Sequence, residues 1–296
     1  MAEFVYVNGE FIPKEQATIS LFDHGYLYGD GLFEGVRVYD GKVFELLPHV
    51  ERLLSGARAL GFPLGDLDET KAFEAIVATC RKNDHRDGYI RVNLTRGTGL
   101  GLDPKHIEPK VNFVIATRQL ALYPPELYEK GLDMITCSTR VPSPDAIDAR
   151  IKCTGKYINN ILAKMEANRV GAGEGIMLNQ QGHVAEATGD NVFILNSDGV
   201  FVTPHPSAGC LKGITRGVAI KLLREQFGCV VVEENMTLLD IYSAKECFLT
   251  GTAAEIIPAV SLDERLIGDG KPGPNTAKLI EAFRAYTKST GTPISS

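Results

Sequence analysis

The sequence has no Cys-x-x-Cys pair, no His-Glu-x-x-His motif and no cysteine–histidine cluster at zinc-ligand spacing. Its six cysteines (Cys80, Cys137, Cys153, Cys210, Cys229, Cys247) and six histidines (His24, His49, His85, His106, His183, His205) are scattered along 296 residues. No metal site and no disulfide framework is legible in that spacing, and the cysteines read as reduced thiols in a chain large enough to fold without staples. Also missing is an apolar run long enough to span a bilayer. A basic-then-apolar leader is missing too, since Met1 to Gly9 already alternates like a strand, and the expectation is a cytoplasmic protein with no membrane partner. Positive charge is in deficit: 31 Lys and Arg stand against 37 Asp and Glu, the formal net charge is -6 and no basic stripe is interleaved with aromatics. That argues against a phosphate-backbone partner and sets nucleic acid aside. Neither Gly-x-Gly-x-x-Gly nor a Walker loop occurs, which disfavours a nucleotide held by those devices.

What remains is the composition of a soluble globular protein, 44% hydrophobic and 23% charged, at a length that favours two domains. Residues 1–118 read as a small α+β domain. It has two hairpins, turning at Asn8-Gly9 and Asp40-Gly41, and further strands over Tyr89 to Thr95 and Val111 to Thr117. Its helices run from Pro48 to Leu60 and from Asp68 to Asn83. Periodicity stops at 119–125, where Tyr123-Pro124-Pro125 continues neither helix nor strand, and the interdomain linker is placed there. Residues 126–296 form the larger domain: a strand over Met134 to Ser138, a helix ending near Asn168, and four strands between Gly175 and Thr203 read as a meander. Helices over Arg216 to Phe227 and Asn275 to Tyr286 complete it.

Lys152 stands in Ile151-Lys152-Cys153-Thr154-Gly155-Lys156-Tyr157-Ile158-Asn159-Asn160, a polar segment entering a helix. Ile158, Ile161, Leu162 and Met165 follow at i, i+3, i+4 and i+7, so that helix is predicted to be buried on this face and to hold the preceding turn still. A fixed lysine whose pKa is lowered by burial or a neighbouring cation is the nucleophile of Schiff-base enzymes, although most lysines are solvated surface charges.

Two segments are candidate anion sites. Gly213-Ile214-Thr215 opens the helix beginning near Arg216, and Thr250-Gly251-Thr252-Ala253-Ala254-Glu255 follows a strand. Unpaired N–H groups and the dipole at a helix start attract phosphate, and glycine lets the backbone approach, though such residues also cap helices that bind nothing. Glu186, in Val184-Ala185-Glu186-Ala187-Thr188, shares an alternation face with Val184 and Thr188. A buried carboxylate there suits a pyridinium nitrogen, as pyridoxal phosphate chemistry requires, and a solvated glutamate is the alternative.

Taken together, five segments resemble the fold type IV pyridoxal phosphate enzymes, in order and over nearly the whole chain. They are Asp23 to Arg37, Lys152 to Asn160, Glu186 to Asn191, Gly213 to Arg216 and Thr250 to Glu255. Gly88-Tyr89-Ile90-Arg91 and Thr95 to Pro104 look most like the branched-chain amino acid aminotransferases. The resemblance implies an α+β, two-domain fold with a barrel-like sheet in the larger domain, and the cofactor pyridoxal 5'-phosphate. Lys152 would be its tether and then the proton shuttle. Glu186 would pair with the pyridine nitrogen, Tyr157 would bond the 3' oxygen and Leu211 would pack on the ring. Arg52, with Gly213, Ile214, Thr215, Gly251 and Thr252, would hold the phosphate. Tyr28, Phe33, Gly35, Tyr89 and Arg91, with the backbone of Thr252 and Ala253, would bind substrate, Arg91 taking the distal carboxylate of glutamate or 2-oxoglutarate.

The implied partners are amino acids, 2-oxo acids and a second copy of the chain, with Leu100 and Leu102 of the Gly97 to Gly101 loop closing over the neighbour's site. Lys156 departs from the family pattern, in which asparagine commonly precedes the tyrosine. Besides L-branched-chain transamination, a D-amino acid transaminase or aminodeoxychorismate lyase on the same fold stays open. So does a dimeric binding or structural protein without catalysis.

Overall fold

The computed structural model describes residues 3–120 and 123–294. Ala121 and Leu122 of the expected linker lie outside the described residues, as do Met1, Ala2 and the last two serines. The chain divides into two compact units. The first takes the sequence up to Leu120 together with Ile151–Lys156 and the stretch from Thr287, and the second takes the rest, including Tyr157–Tyr286. Each is thus built from separated segments, because main-chain pairing draws the later ones onto the first sheet.

In the first unit, β1 (Phe4–Val7), β2 (Glu10–Pro13), β3 (Gly31–Tyr39), β4 (Lys42–Val43), β5 (Gly88–Thr95) and β6 (Asn112–Arg118) join Thr292–Pro293 in one sheet. Its order is Thr292–Pro293, β4, β3, β5, β6, β1, β2, antiparallel throughout. Both hairpins turn where the sequence places them. Strand β3 runs for nine residues into the Asp40-Gly41 turn. Helix α2 (Leu46–Ala59) opens two residues before the predicted start, so Pro48 lies inside the first turn, where its missing N–H costs nothing. Short helix α1 (His24–Tyr28) precedes β3, and α3 (Glu69–Lys82) is capped by the Asp68 carboxylate accepting from the Lys71 N–H at 2.8 Å.

Period-two alternation divides the labour of this sheet. Leu32, Val36, Val38, Ile90, Val92 and Leu94 are buried on the face covered by α2 and α3. Phe33, Gly35, Tyr89, Arg91 and Asn93 line the opposite face, where Phe33 stands across from Asn93 and Gly35 from Arg91.

The second unit contains β7 (Leu132–Thr136), β8 (Glu174–Leu178), β9 (Val184–Ala187), β10 (Asn191–Leu195), β11 (Phe201–Pro204), β12 (Val231–Glu234), β13 (Glu246–Gly251), β14 (Glu255–Leu262) and β15 (Arg265–Leu266). They form a nine-stranded sheet in the order β12-β11-β10-β13-β14-β7-β8-β9, with β15 on β14. The four strands read as one run form two hairpins, β8–β9 and β10–β11. Between them the chain turns at Thr188 to Asp190, and β13, β14 and β7 occupy the intervening places. The helices are α4 (Pro125–Lys130), α5 (Tyr157–Arg169), α6 (Ile214–Lys221), α7 (Leu238–Tyr242) and α8 (Pro274–Ser289), with α6 running into a π-helical turn at Leu222–Gln226. The core of this sheet includes Ile176, Val192, Ile194, Leu249 and Ile257.

One prediction is reversed. On α5 the stripe Ile158, Ile161, Leu162 and Met165 is not buried: these side chains are 62%, 61%, 48% and 55% exposed. The face that meets the chain's own sheet carries Asn160, Ala163 and Ala167 instead. Small residues let the helix lie close to β8, where Gly175 carries no Cβ to meet the Cys137 thiol and the Ala163 carbonyl. The periodicity is real, but it marks a face that the single chain leaves uncovered.

Candidate active site

The Lys152 segment is held by β3 rather than by α5. The Phe33 N–H donates to the Lys152 carbonyl at 3.1 Å, and Cys153 forms a β-bridge with Leu32. The Thr154 hydroxyl bonds the Gly29 and Gly31 carbonyls at 2.9 Å each, and the Gly155 N–H donates to Gly29. This fixes the Lys152 side chain over Phe33, with Nζ 4.7 Å from the ring centroid. The Arg91 guanidinium carbon lies 3.7 Å from the same centroid. Phe33 therefore serves as a common wall for the candidate tether and the candidate carboxylate binder, and cation–π attraction favours both placements. Tyr89 lies over Gly35, where any Cβ would collide with its hydroxyl, so glycine is required at that position. Burial raises the Tyr89 phenol pKa against the opposing pull of the Arg91 charge.

Behind this face, Glu34 is 1% exposed between His49 and Arg52 of α2. Arg52 donates from Nε and Nη2 at 2.7 Å each, and His49 Nδ1 lies 2.7 Å away. Burial alone would push the Glu34 carboxyl up, but Arg52 and His49 beside it hold it at about 2. The His49 pKa is lowered by burial, with Arg52 and Lys152 adding to the effect and Glu34 opposing it. Arg52 thus has its guanidinium plane set by a bidentate partner.

In the second unit, Glu186 is 6% exposed, and one of its oxygens accepts from the Leu211 N–H at 2.8 Å. The Leu211 carbonyl accepts from Asn191 Nδ2 at 2.8 Å. Leu211 is therefore pinned at both main-chain ends, three positions before α6. Gly213 is the N-cap of α6 and supplies no side-chain cap, and a Cβ there would collide with Asn191 Oδ1. The opening of α6 at Ile214 and Thr215 thus keeps its N–H groups clear of a capping side chain, as an anion site needs. Arg216 does not join it: buried at 2% exposure, it turns to Glu233, Thr203 and the Pro204 carbonyl. Gly251 ends β13 against Asp190, Thr252 follows half-buried and Ala253 is exposed. Tyr157 opens α5. Lys156, immediately before it, is 5% exposed rather than a surface charge.

Tyr28 is placed elsewhere in the first unit. Its hydroxyl accepts from the Gly101 N–H at 3.1 Å, and its ring meets His24 edge-on. Beside it Leu100 and Leu102 are 66% and 78% exposed. Sequence reasoning passed over Glu34, His49 and Asn93. The signal for the first two was present: a glutamate on the buried alternation face of Leu32, Val36 and Val38, with His and Arg three apart on the covering helix. Among the described residues no group of three or more His, Cys, Asp or Glu is placed to hold a metal ion, and no helix is long and apolar enough to cross a membrane.

A two-sheet α+β fold with a fixed lysine, a buried carboxylate and an open helix start defines a class of enzyme. The family model of class IV amino-transferases matches residues 31–262, and the chain belongs to that family. A putative branched-chain-amino-acid aminotransferase of Methanocaldococcus jannaschii is 44% identical over 281 residues, 95% of each chain. The branched-chain-amino-acid aminotransferase of Escherichia coli K12 is 35% identical over 288 residues, 95% of this chain and 92% of its own. The solved PLP-form, or holo-form, of the branched-chain amino acid aminotransferase from Thermobaculum terrenum superposes with a TM-score of 0.89 at 29% identity, covering 97% of this chain and 94% of that one.

Proposed function

We propose that this protein transfers amino groups between L-branched-chain amino acids and 2-oxoglutarate, using pyridoxal 5'-phosphate. The observation that carries the reading is the sharing of the Phe33 ring by Lys152 and Arg91. It sets an amine for covalent tethering beside a guanidinium for an acidic substrate, on one aromatic wall that also suits a branched aliphatic side chain.

The donor set fits the cofactor. Glu186 offers a buried carboxylate for a pyridine nitrogen, and the start of α6 at Gly213, Ile214 and Thr215 offers N–H groups to a phosphate, with Gly251, Thr252 and Arg52 as further partners. When bound, the cofactor supplies an electron sink that stabilises negative charge at the substrate Cα. Lys152 would hold the cofactor between turnovers and, once released, its Nζ would carry the proton from the substrate Cα to the cofactor's C4', the reverse half-reaction moving it back. Tyr157 would bond the 3' oxygen, and Leu211 would pack against the ring. Tyr89, Phe33 and Gly35 shape the side-chain pocket, and the backbone of Thr252 and Ala253 takes the α-carboxylate. Arg91 receives the distal carboxylate of glutamate.

The reading includes a cytoplasmic homodimer. The uncovered apolar stripe of α5 and the exposed Tyr28, Leu100 and Leu102 support a second copy of the chain as partner.

Borohydride reduction of the protein loaded with cofactor, followed by peptide mass spectrometry, is expected to find the label on Lys152. Leucine with 2-oxoglutarate is expected to outrun D-alanine and aminodeoxychorismate. Wild-type turnover by Lys152→Ala, or a preference for either alternative substrate, would overturn the assignment.

A further inference from the structure

Arg91, half-buried on β5, is held in an unusual way. Its Nε donates to Asn93 Oδ1 at 2.9 Å and its guanidinium lies on Phe33. Among the described residues no carboxylate pairs with it: each of these partners is neutral. Asn93 sits two residues further along β5 on the same face, directly across from Phe33. It also borders a cavity of about 460 Å³ lined by Leu21, Tyr26 and Thr95.

We propose that Asn93 sets the balance between acidic and apolar substrates by fixing Arg91 with an uncharged acceptor. The inference rests on Arg91 being the partner of the distal carboxylate. A guanidinium must serve that carboxylate in one half-reaction and tolerate a branched aliphatic group in the other. Stacking on Phe33 holds it flat against the wall, and Asn93 occupies Nε, which fixes the direction of the terminal amino groups. Because the amide brings no charge, Arg91 keeps its positive charge uncompensated for the arriving carboxylate. An aspartate of the same size at this position would satisfy the same Nε–H and neutralise the guanidinium, competing with the substrate for it. Asn93 is therefore a positioning residue whose neutrality is the functional property.

Asn93→Asp isolates that property, since it changes charge and almost nothing of shape. The expected result is a roughly tenfold or greater fall in the glutamate-to-leucine ratio of kcat/KM, carried mainly by KM for glutamate and 2-oxoglutarate. Glutarate binding to the cofactor-loaded protein, read by thermal shift, is expected to weaken relative to 4-methylpentanoate binding. Asn93→Ala, which frees Nε without adding charge, is expected to lower the ratio by only a few-fold. Arg91→Met is the control for the underlying reading. If Arg91→Met collapses the ratio while Asn93→Asp leaves it at the wild-type value, the role of Asn93 is wrong and that of Arg91 stands. If Arg91→Met leaves the ratio intact, the carboxylate-binding reading fails and this inference fails with it.

Discussion

Arg52 and Glu34 meet edge to edge, Nε and Nη2 of the guanidinium each 2.7 Å from the carboxylate, beneath the face that carries Phe33 and Arg91. The pair is rigid because Glu34 is also bonded to His49 and has no access to water. On the proposal that Arg52 holds the phosphate through the edge that Glu34 leaves free, cofactor affinity is expected to depend on both members. Arg52→Ala is expected to weaken pyridoxal phosphate binding by about tenfold or more, the scale of one lost charge-assisted contact. The same variant is expected to bind pyridoxal, which lacks the phosphate, nearly as well as the wild type. Fluorescence titration with both compounds checks this, and equal losses for the two would remove Arg52 from the phosphate site.

Acid stability follows from the same cluster. The Glu34 carboxyl has an ordinary value of 4.5 and sits at about 2 in the folded chain. Its folded value is depressed, so its contribution to stability is complete above 4.5 and is lost as pH falls towards 2. The difference corresponds to roughly 3 kcal/mol. His49 acts in the same direction, because its lowered value means that the unfolded chain takes up a proton first as pH drops below 6.5. Urea unfolding at pH 7, 4 and 3 is expected to show a smaller acid loss in Glu34→Gln than in the wild type, from a lower starting stability. A parallel pH dependence in the two proteins would contradict the ion-pair account.

The stripe on α5 makes a separate prediction about assembly. Ile161→Asp with Met165→Asp puts two charges on a face that a second copy is proposed to cover, and light scattering after size exclusion is expected to show a shift towards monomer. Leu239→Asp, at a 69% exposed position on α7, is the control and is expected to keep the wild-type mass. A double variant that elutes like the wild type would show that the copies meet elsewhere.

Gly35→Ala tests the pocket wall. A methyl group there collides with the Tyr89 hydroxyl, and displacing that ring from a packed site costs about 1–3 kcal/mol. Leucine turnover is expected to lose about tenfold or more in kcat/KM, with the circular dichroism spectrum of the wild type. Normal kinetics would place the substrate side chain away from Gly35.

Much of this was legible in the residues. Lys152, Glu186 and Gly213 to Thr215 could be singled out because each places a distinctive chemical group against a local pattern, and the order of five segments joined them. Boundaries slipped where a local rule had two solutions: Pro48 marks a helix start but permits two residues before it, and alternation in β3 was obscured by its glycines. The reversed face of α5 has a different origin. A stripe at helical spacing records which side avoids water and carries no information on whether the same chain or another one covers it. Glu34 was missed because a charged residue in an apolar strand is legible only when its partners are known, and His49 and Arg52 stand 15 and 18 residues further along.

The alternation of β3 and β5 has a practical consequence for anyone reshaping the enzyme. Odd-numbered positions from 31 to 37 and from 89 to 95 line one surface, and even-numbered ones lie under the helices. Randomising Phe33, Tyr89, Arg91 and Asn93 therefore explores substrate preference while leaving Leu32, Val36, Ile90 and Val92 to keep the scaffold intact. A library built on this parity is expected to yield a far higher fraction of folded variants than one that randomises consecutive residues of either strand.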